Sequence, residues 1–287
     1  MISMHYSTIL KRGAFLLVFA IFAIGGCKKT DSNPLTDDDD AGGYASDASR
    51  IEWLSNDAIS IADAAGNFYN GVYMKTTNTF GTCAIVAIDT VSTPHVLTIR
   101  FGNENCMCLD GKNRRGNIIV TYNGQYTSPN IIHTIKYDDY YVNNIRLSGN
   151  TKVTRIDTTV VGNWYYNVKV DDTMTTTPNK YVTWKGSLTR KWITGYATGD
   201  RNDDVYSISG NTTLVRENGH LFTFDIQTPL KFALDCDFAE SGVVNVTGFN
   251  GDTRVLNYAL GNNGPAGTCD NFAQLNVGVH VYQLTLY

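Results

Sequence analysis

From Asn67 onward the chain is a succession of short alternating segments separated by turn residues, and no other feature narrows its possible folds so far. Val, Ile, Thr and Tyr recur with period two, which sets successive side chains on opposite faces of a strand. Strands are predicted at Ala84–Ile88, Val96–Phe101, Asn117–Tyr122, Ile131–Tyr137, Tyr165–Val170 and Tyr181–Leu188. Others follow at Val205–Ser209, His220–Ile226, Val243–Thr247, Arg254–Leu260 and Tyr282–Leu286. Asn123-Gly124, Asn218-Gly219 and Asn250-Gly251 suit tight hairpin turns that need positive φ. The expected fold is all-β, an antiparallel meander or a sandwich. One short helix should precede it over residues 49–66. There Ser49-Arg-Ile-Glu52 has the form of a capping box, and Ile51, Leu54, Ala58, Ile61, Ala62 and Ala65 follow at helical spacing up to Gly66. Its apolar stripe is expected to dock on the β body.

The N-terminus reads differently. Lys11-Arg12 precedes an apolar run, Ala14–Ile24, and then Gly25-Gly26-Cys27. A charged segment, an apolar stretch of about a dozen residues and small residues before a cut mark a secretory signal. The run falls short of the roughly 20 residues that span a bilayer. Its Ile-Gly-Gly-Cys ending resembles the lipobox of bacterial lipoproteins. That resemblance implies a signal peptide over 1–26 and a lipidated Cys27 that anchors the mature chain to a membrane. Residues 27–48, with Asp37–Asp40, are polar and acidic, and read as a flexible tether. Lys28 rather than Asp after the lipid cysteine argues against retention at an inner membrane. The charged stretch also resembles export signals of surface lipoproteins in Bacteroidota. An outer-membrane anchor follows, with the body facing the periplasm or the outside.

The remaining cysteines are Cys83, Cys106, Cys108, Cys236 and Cys269, and an exported chain makes disulfides the expected state. Two features suggest internal duplication, with halves at 67–170 and 171–287. Ser148-Gly-Asn-Thr-Lys-Val-Thr-Arg155 resembles Ser209-Gly-Asn-Thr-Thr-Leu-Val-Arg216, and more loosely Ser241–Gly248. In addition, Cys83, a strand, Phe101-Gly102 and Cys106/Cys108 run parallel to Cys236, a strand, Leu260-Gly261 and Cys269. If the halves share a fold, Cys83 pairs with Cys106 or Cys108, and Cys236 pairs with Cys269. Each bond would close a loop of roughly 25–35 residues, worth about 3–4 kcal/mol as chain entropy.

The segment Cys106-Met-Cys108-Leu-Asp110-Gly-Lys-Asn-Arg114-Arg-Gly116, followed by a strand, carries a second resemblance. Together with the lipobox, the tether, the helix and Gly-Thr-Cys-Asp at 267–270, it resembles uncharacterised lipoproteins of Bacteroidota over most of the mature chain. That family brings no established activity and no functional residues to carry over.

Chemistry is sparse in the sequence. Net charge is −4 with no long Lys/Arg cluster, so nucleic-acid binding has no electrostatic footprint. His95, His133, His220 and His280 are scattered, with no metal-ligand spacing, and His5 lies in the signal. Cys106-Met-Cys108 lacks the second ligand pair of a zinc site. Asp200-Arg-Asn-Asp-Asp204 alternates oxygen ligands as calcium loops do, but Val205 and Asn211 stand where such a loop needs glycine and an acid. A polar hairpin turn fits it better. No metal or cofactor is expected. Asp89-Thr90-Val91, Asp157-Thr158-Thr159 and Asp172-Thr173-Met174 resemble the O-glycosylation sequon of Bacteroidota. Two aromatic segments, Tyr137-Asp-Asp-Tyr-Tyr141 and Trp164-Tyr-Tyr166, could line a sugar-stacking surface or grip the core. Tyr137, Tyr140 and Tyr141 are the candidate ligand surface. No catalytic constellation is evident, so the expectation is a membrane-anchored, non-catalytic binding or structural module of the cell envelope, its glycan or protein partner unidentified. The alternative is a hydrolase of envelope glycans or peptides.

Overall fold

The computed structural model describes residues 41–69, 81–156, 164–177, 180–198, 200–248, 250–259 and 268–286. The signal segment, Cys27 and most of the tether lie outside the described residues, as do Asp157–Thr159, Leu260 and Gly261.

Among the described residues, one helix, α1 (Ala41–Tyr69), is followed by a single antiparallel sheet. Its strands are β1 (Ile85–Asp89), β2 (His95–Arg100), β3 (Cys106–Met107), β4 (Asn113–Tyr122), β5 (Ile132–Val142), β6 (Ile145–Ile156) and β7 (Tyr165–Thr177). They continue with β8 (Lys180–Thr194), β9 (Val205–Arg216), β10 (Leu221–Ala233), β11 (Ser241–Thr247), β12 (Thr253–Asn257), β13 (Phe272–Val277) and β14 (His280–Thr285). Each strand pairs with the next in sequence, except that β2 pairs with β4 while β3 pairs beside it on β4. The fold is therefore all-β with one N-terminal helix, and of the two expected arrangements it is the meander. The proposed boundary between halves at residue 170 falls inside β7, and β7 pairs with β8 from Tyr165 to Thr177. The sheet runs through that point without a break.

Alternation along the strands gives the sheet one buried face. In β4, Arg114, Ile118, Val120 and Tyr122 are buried, while their neighbours are half-exposed. In β8 the buried set is Val182, Trp184, Leu188, Arg190 and Trp192. Antiparallel sheets commonly keep one solvated face in this way. The buried face packs around α1, which contacts β2, β4, β5, β7, β8 and β14. A layer of sheet curled around one helix explains why α1 is buried on nearly every side.

That wrapping also sets the length of the helix. It begins at Ala41, well before the capping-box pattern, so the last part of the expected tether is helical. Ser49 and Glu52 are buried inside the helix rather than capping it. Tertiary contacts hold the added turns. The Tyr44 ring stacks on Phe222 at 3.6 Å, and Asp47 accepts a 2.6 Å bond from Arg216 Nε. Gly66 does not close the helix, which runs on to Tyr69. A Cβ at Gly66 would lie 2.3 Å from the Tyr126 ring, so glycine is there to admit that ring, whose hydroxyl donates to Ala62 O at 3.0 Å.

The repeated Ser-Gly elements share a geometry. Gly149, Gly210 and Gly242 have φ of 134°, 124° and 130° and lie inside or at the start of β6, β9 and β11. A Cβ at Gly149 or Gly210 would meet a neighbouring strand's carbonyl at 2.3 Å. Glycine within a strand marks a tight bend or a close approach of backbone, which a sheet curling around a helix requires. Both full repeats end in an arginine that faces a helix aspartate: Arg216 pairs with Asp47, and Arg155 acts on Asp63.

Both disulfides form. Cys83 pairs with Cys106 and Cys236 with Cys269, each with 5.6 Å between Cα atoms. Cys108 remains a buried free thiol. The alternative left open at Cys106/Cys108 resolves this way because Cys108 turns inward toward Arg114, while Cys106 faces Cys83.

Candidate functional site

Two clusters of charge meet α1 from the sheet. The first is built on the Cys-x-Cys-x-Asp-Gly-x-x-Arg segment. Arg114, fully buried on β4, donates to both oxygens of Asp57 on α1 at 2.9–3.0 Å and to both oxygens of Asp110 at 2.7–2.8 Å. Arg201, from the β8–β9 connection, donates to Asp57 at 2.7 Å. The two cations and two anions balance, and charge-assisted, forked bonds offset much of the cost of burying them. Arg114 and Arg201 hold the Asp57 carboxyl below its usual value against the upward push of burial, the largest of the opposing influences. The Cys-x-Cys-x-Asp-Gly-x-x-Arg segment is thus a joint between helix and sheet. Asp200–Asp204 serves the same joint: Asp200 caps Asn202 N at 2.9 Å in the turn, and Arg201 is sent inward. Among the described residues no group of His, Cys, Asp or Glu is placed to hold a metal ion.

The second cluster surrounds a cavity of about 300 Å³ toward the C-terminal end of α1. Its floor is buried and aromatic: Tyr126, Tyr166, Trp192 and Tyr206, with His133 among them. Its rim is half-exposed: Asp63 and Asn67 from α1, Thr127, Arg155 and Trp164. Strand periodicity assembles the floor, since Arg190 and Trp192 share the inner face of β8 and Tyr206 follows from β9. The rings interlock, with Trp192 stacked on Tyr206 at 5.5 Å and edge-on to Trp164 at 5.1 Å.

Polar groups in the cavity are only partly satisfied. Arg190, fully buried beneath it, donates to Ser60 Oγ at 2.6 Å and lies 3.3 Å from the Tyr206 ring centroid. Its Nη1 is 3.9 Å from Asp63, and Nε and Nη1 have no hydrogen-bond partner among the described residues. The same holds for Nε of Arg201, another lining residue. Burial raises the Asp63 carboxyl to about 6, with Arg190 and then Arg155 pulling the other way. The Arg155 guanidinium lies 4.7 Å above Trp164 and donates to Thr127 O at 3.1 Å. His133 is lowered to about 4, first by burial, and its neutral ring donates through Nε2 to Tyr126 O at 3.0 Å.

The candidate tyrosine surface divides. Tyr140 is fully buried, 5.8 Å from Phe101 and 5.9 Å from Tyr137 between ring centroids. It belongs to the core, which corrects its assignment to a ligand surface. The cause is a bulge: Asp139 takes φ 47°, the β5–β6 register shifts between Lys136 and Tyr141, and Tyr137 and Tyr140 both face inward. The Tyr137 hydroxyl donates to the buried Asp172 at 3.4 Å. Tyr141 faces outward, half-buried, with the Arg115 guanidinium 3.6 Å from its ring centroid. In the Asp172-Thr173-Met174 triplet, both Asp172 and Met174 are buried. The second aromatic segment does reach a cavity, through Trp164 and Tyr166. Ser60, Asp63, Trp192 and Tyr206 were not singled out in the sequence, and Arg155 and Arg201 only as parts of a repeat and of an acidic turn; a signal available for the missed residues was Arg190 and Trp192 at inward positions of an otherwise apolar strand face. No protein-family model, curated protein or solved structure matches the chain.

Proposed function

We propose that the mature chain is an outer-membrane-anchored lipoprotein whose β body is a non-catalytic binding module of the cell envelope. The anchor rests on the lipobox at Cys27, and the binding role rests on the cavity beside α1. A partly open pocket with an aromatic floor, a few converging polar groups and a perturbed carboxyl has the character of a ligand site. The pairing of Arg114, Asp57 and Asp110, with Arg201 bonded to Asp57, leaves that cluster to hold the fold apart from the Nε of Arg201, so ligand contacts fall to Asp63, Asn67, Arg155, that Nε and the rings. The second reading, hydrolysis of an envelope polymer, has one observation in its favour: a raised carboxyl such as Asp63 suits a general acid.

Cys27→Ser tests the anchor. The variant should lose its acyl chains by intact mass and move from the membrane to the soluble fraction, because lipid supplies the membrane affinity. A variant as membrane-bound as wild type, with no acyl chain on the native protein, would refute it. Turnover of a glycan or peptide by the purified wild-type chain would displace the binding reading in favour of hydrolysis.

A further inference from the structure

The chemistry of the cavity narrows its ligand. Two arginines, Arg155 and Arg201, and two aspartates, Asp63 and Asp204, line it; Arg190 lies beside Asp63, and Arg201 is tied into the ion pairs of Asp57, Asp110 and Arg114, so that four arginines stand with four aspartates. Their formal charges cancel. An ion entering such a balanced, half-buried site would bring a charge with no counterpart, which burial penalises. A neutral ligand meets no such penalty.

The walls pose a second requirement. Trp164, Trp192 and Tyr166 bring apolar ring surface to the lining, while charged donors and acceptors stand between them: Asp63, Asp204, Arg155, and the unpartnered Nε of buried Arg201. The ligand must therefore carry a flat apolar face and, around its edge, several groups that both donate and accept. Pyranose rings have this form, with C–H groups on their faces and hydroxyls at the rim. Each hydroxyl can accept from a guanidinium and donate to a carboxylate, the stronger class of hydrogen bond. A simple aromatic ligand would satisfy the rings and leave the arginines unpaired. A quaternary ammonium would satisfy the rings and Asp63, but would meet Arg155 and Arg190 nearby. The volume of about 300 Å³ sits at the small end of ligand sites and suits one or two sugar rings.

We propose that this cavity binds a neutral saccharide of one or two pyranose rings, stacked on Trp164 and Trp192 and hydrogen-bonded to Asp63, Arg155 and Arg201. The assignment rests on the reading of the β body as a binding module, and specifies its ligand class.

The test uses the full lipidated chain in lipid nanodiscs, free of glycosidic detergent, with tryptophan fluorescence as readout. Probes are glucose, galactose, mannose, N-acetylglucosamine, cellobiose and N,N′-diacetylchitobiose, set against glucuronate, glucosamine, choline and glycylglycine. At least one neutral sugar should give a saturable change, with its charged analogue binding about tenfold more weakly or worse. Trp164→Ala, at the half-exposed rim, and Asp63→Asn should each weaken that sugar by about tenfold or more, with melting temperatures no lower than a few degrees below wild type. Two different variants keep the test decisive should one of them fold poorly. Saturation by choline or glycylglycine, silent neutral sugars and loss of the signal in Trp164→Ala would overturn the saccharide while leaving the binding module in place. No saturable binding by any probe, or cleavage of the disaccharides, would overturn both.

Discussion

Asp57 and Asp63 stand less than two turns apart on the same helix, and both face arginines, yet their carboxyls shift in opposite directions. Asp57 is held down by Arg114 and Arg201. Asp63 is pushed up to about 6. Burial acts on both, so the difference lies in the partners. Asp57 accepts three bonds between 2.7 and 3.0 Å, whereas Arg190 stops 3.9 Å short of Asp63. A guanidinium nearby does not by itself stabilise a buried carboxylate; bonded contact does. Glu52, further back along the helix, is the limiting case. It is buried, Oε1 has no hydrogen-bond partner among the described residues, and burial alone raises it to about 8. One helix thus presents the sheet with a carboxylate fully paired, one half-paired and one unpaired. The first joins the layers, and the second faces the cavity.

The largest expected effect is at the joint. Asp57→Ala leaves Arg114 and Arg201 buried with fewer anionic partners and should cost about 3–5 kcal/mol in urea unfolding at pH 7. A loss below about 1 kcal/mol would mean that Asp110 alone satisfies both arginines. The contrast between the two clusters would then disappear.

How much of this was legible in the sequence depended on distance along the chain. The hairpin turns and most strands were local patterns, and they were readable. The Cys83–Cys106 and Cys236–Cys269 pairs span only 23 and 33 residues, and the parallel between the two segments pointed to them. β6 was missed because Ser148-Gly149-Asn150 reads as a turn, although Gly149 is a bend within the strand. The bulge at Asp139 hid the inward face of Tyr140. The cavity was out of reach for a different reason. Arg190 meets Ser60 across 130 residues, and Arg201 meets Asp57 across 144. Polar residues on a helix suggest an exposed face, and nothing local shows that a sheet curls around to cover them. Trp164-Tyr-Tyr166 was the part of the site with a sequence signal, because aromatic rings in succession stand out wherever they end up.

The next expected effect is at Glu52. Its folded value, near 8, lies above the ordinary 4.5, so its contribution is full below about pH 4.5 and is lost as pH rises through 8. Glu52→Gln imitates the protonated form and escapes that loss. Stability measured by urea at pH 5 and pH 8.5 should show the variant's advantage widening by on the order of 2 kcal/mol. A constant difference would mean that Glu52 titrates as it does in water, and the ranking of the three carboxyls would lose its upper end.

The smallest effect sharpens the comparison most, because it separates stability from binding at one atom. Asp63 is also raised, so its contribution is present below about pH 3.8 and declines as pH rises through 6. At pH 7.5 the folded protein carries an ionised carboxylate that its surroundings only partly satisfy. Asp63→Asn should therefore be more stable than wild type by about 1 kcal/mol at pH 7.5, with the advantage shrinking toward zero by pH 4. The same substitution removes a charged hydrogen-bond acceptor from the cavity rim and should weaken the saccharide. A residue that serves the joint, as Asp57 does, should lose stability when neutralised. A residue held for a ligand should gain stability and lose affinity, the trade expected where a site keeps a group under tension. If Asp63→Asn is instead destabilised at pH 7.5, Asp63 is a structural partner of Arg190, and the two aspartates do the same work.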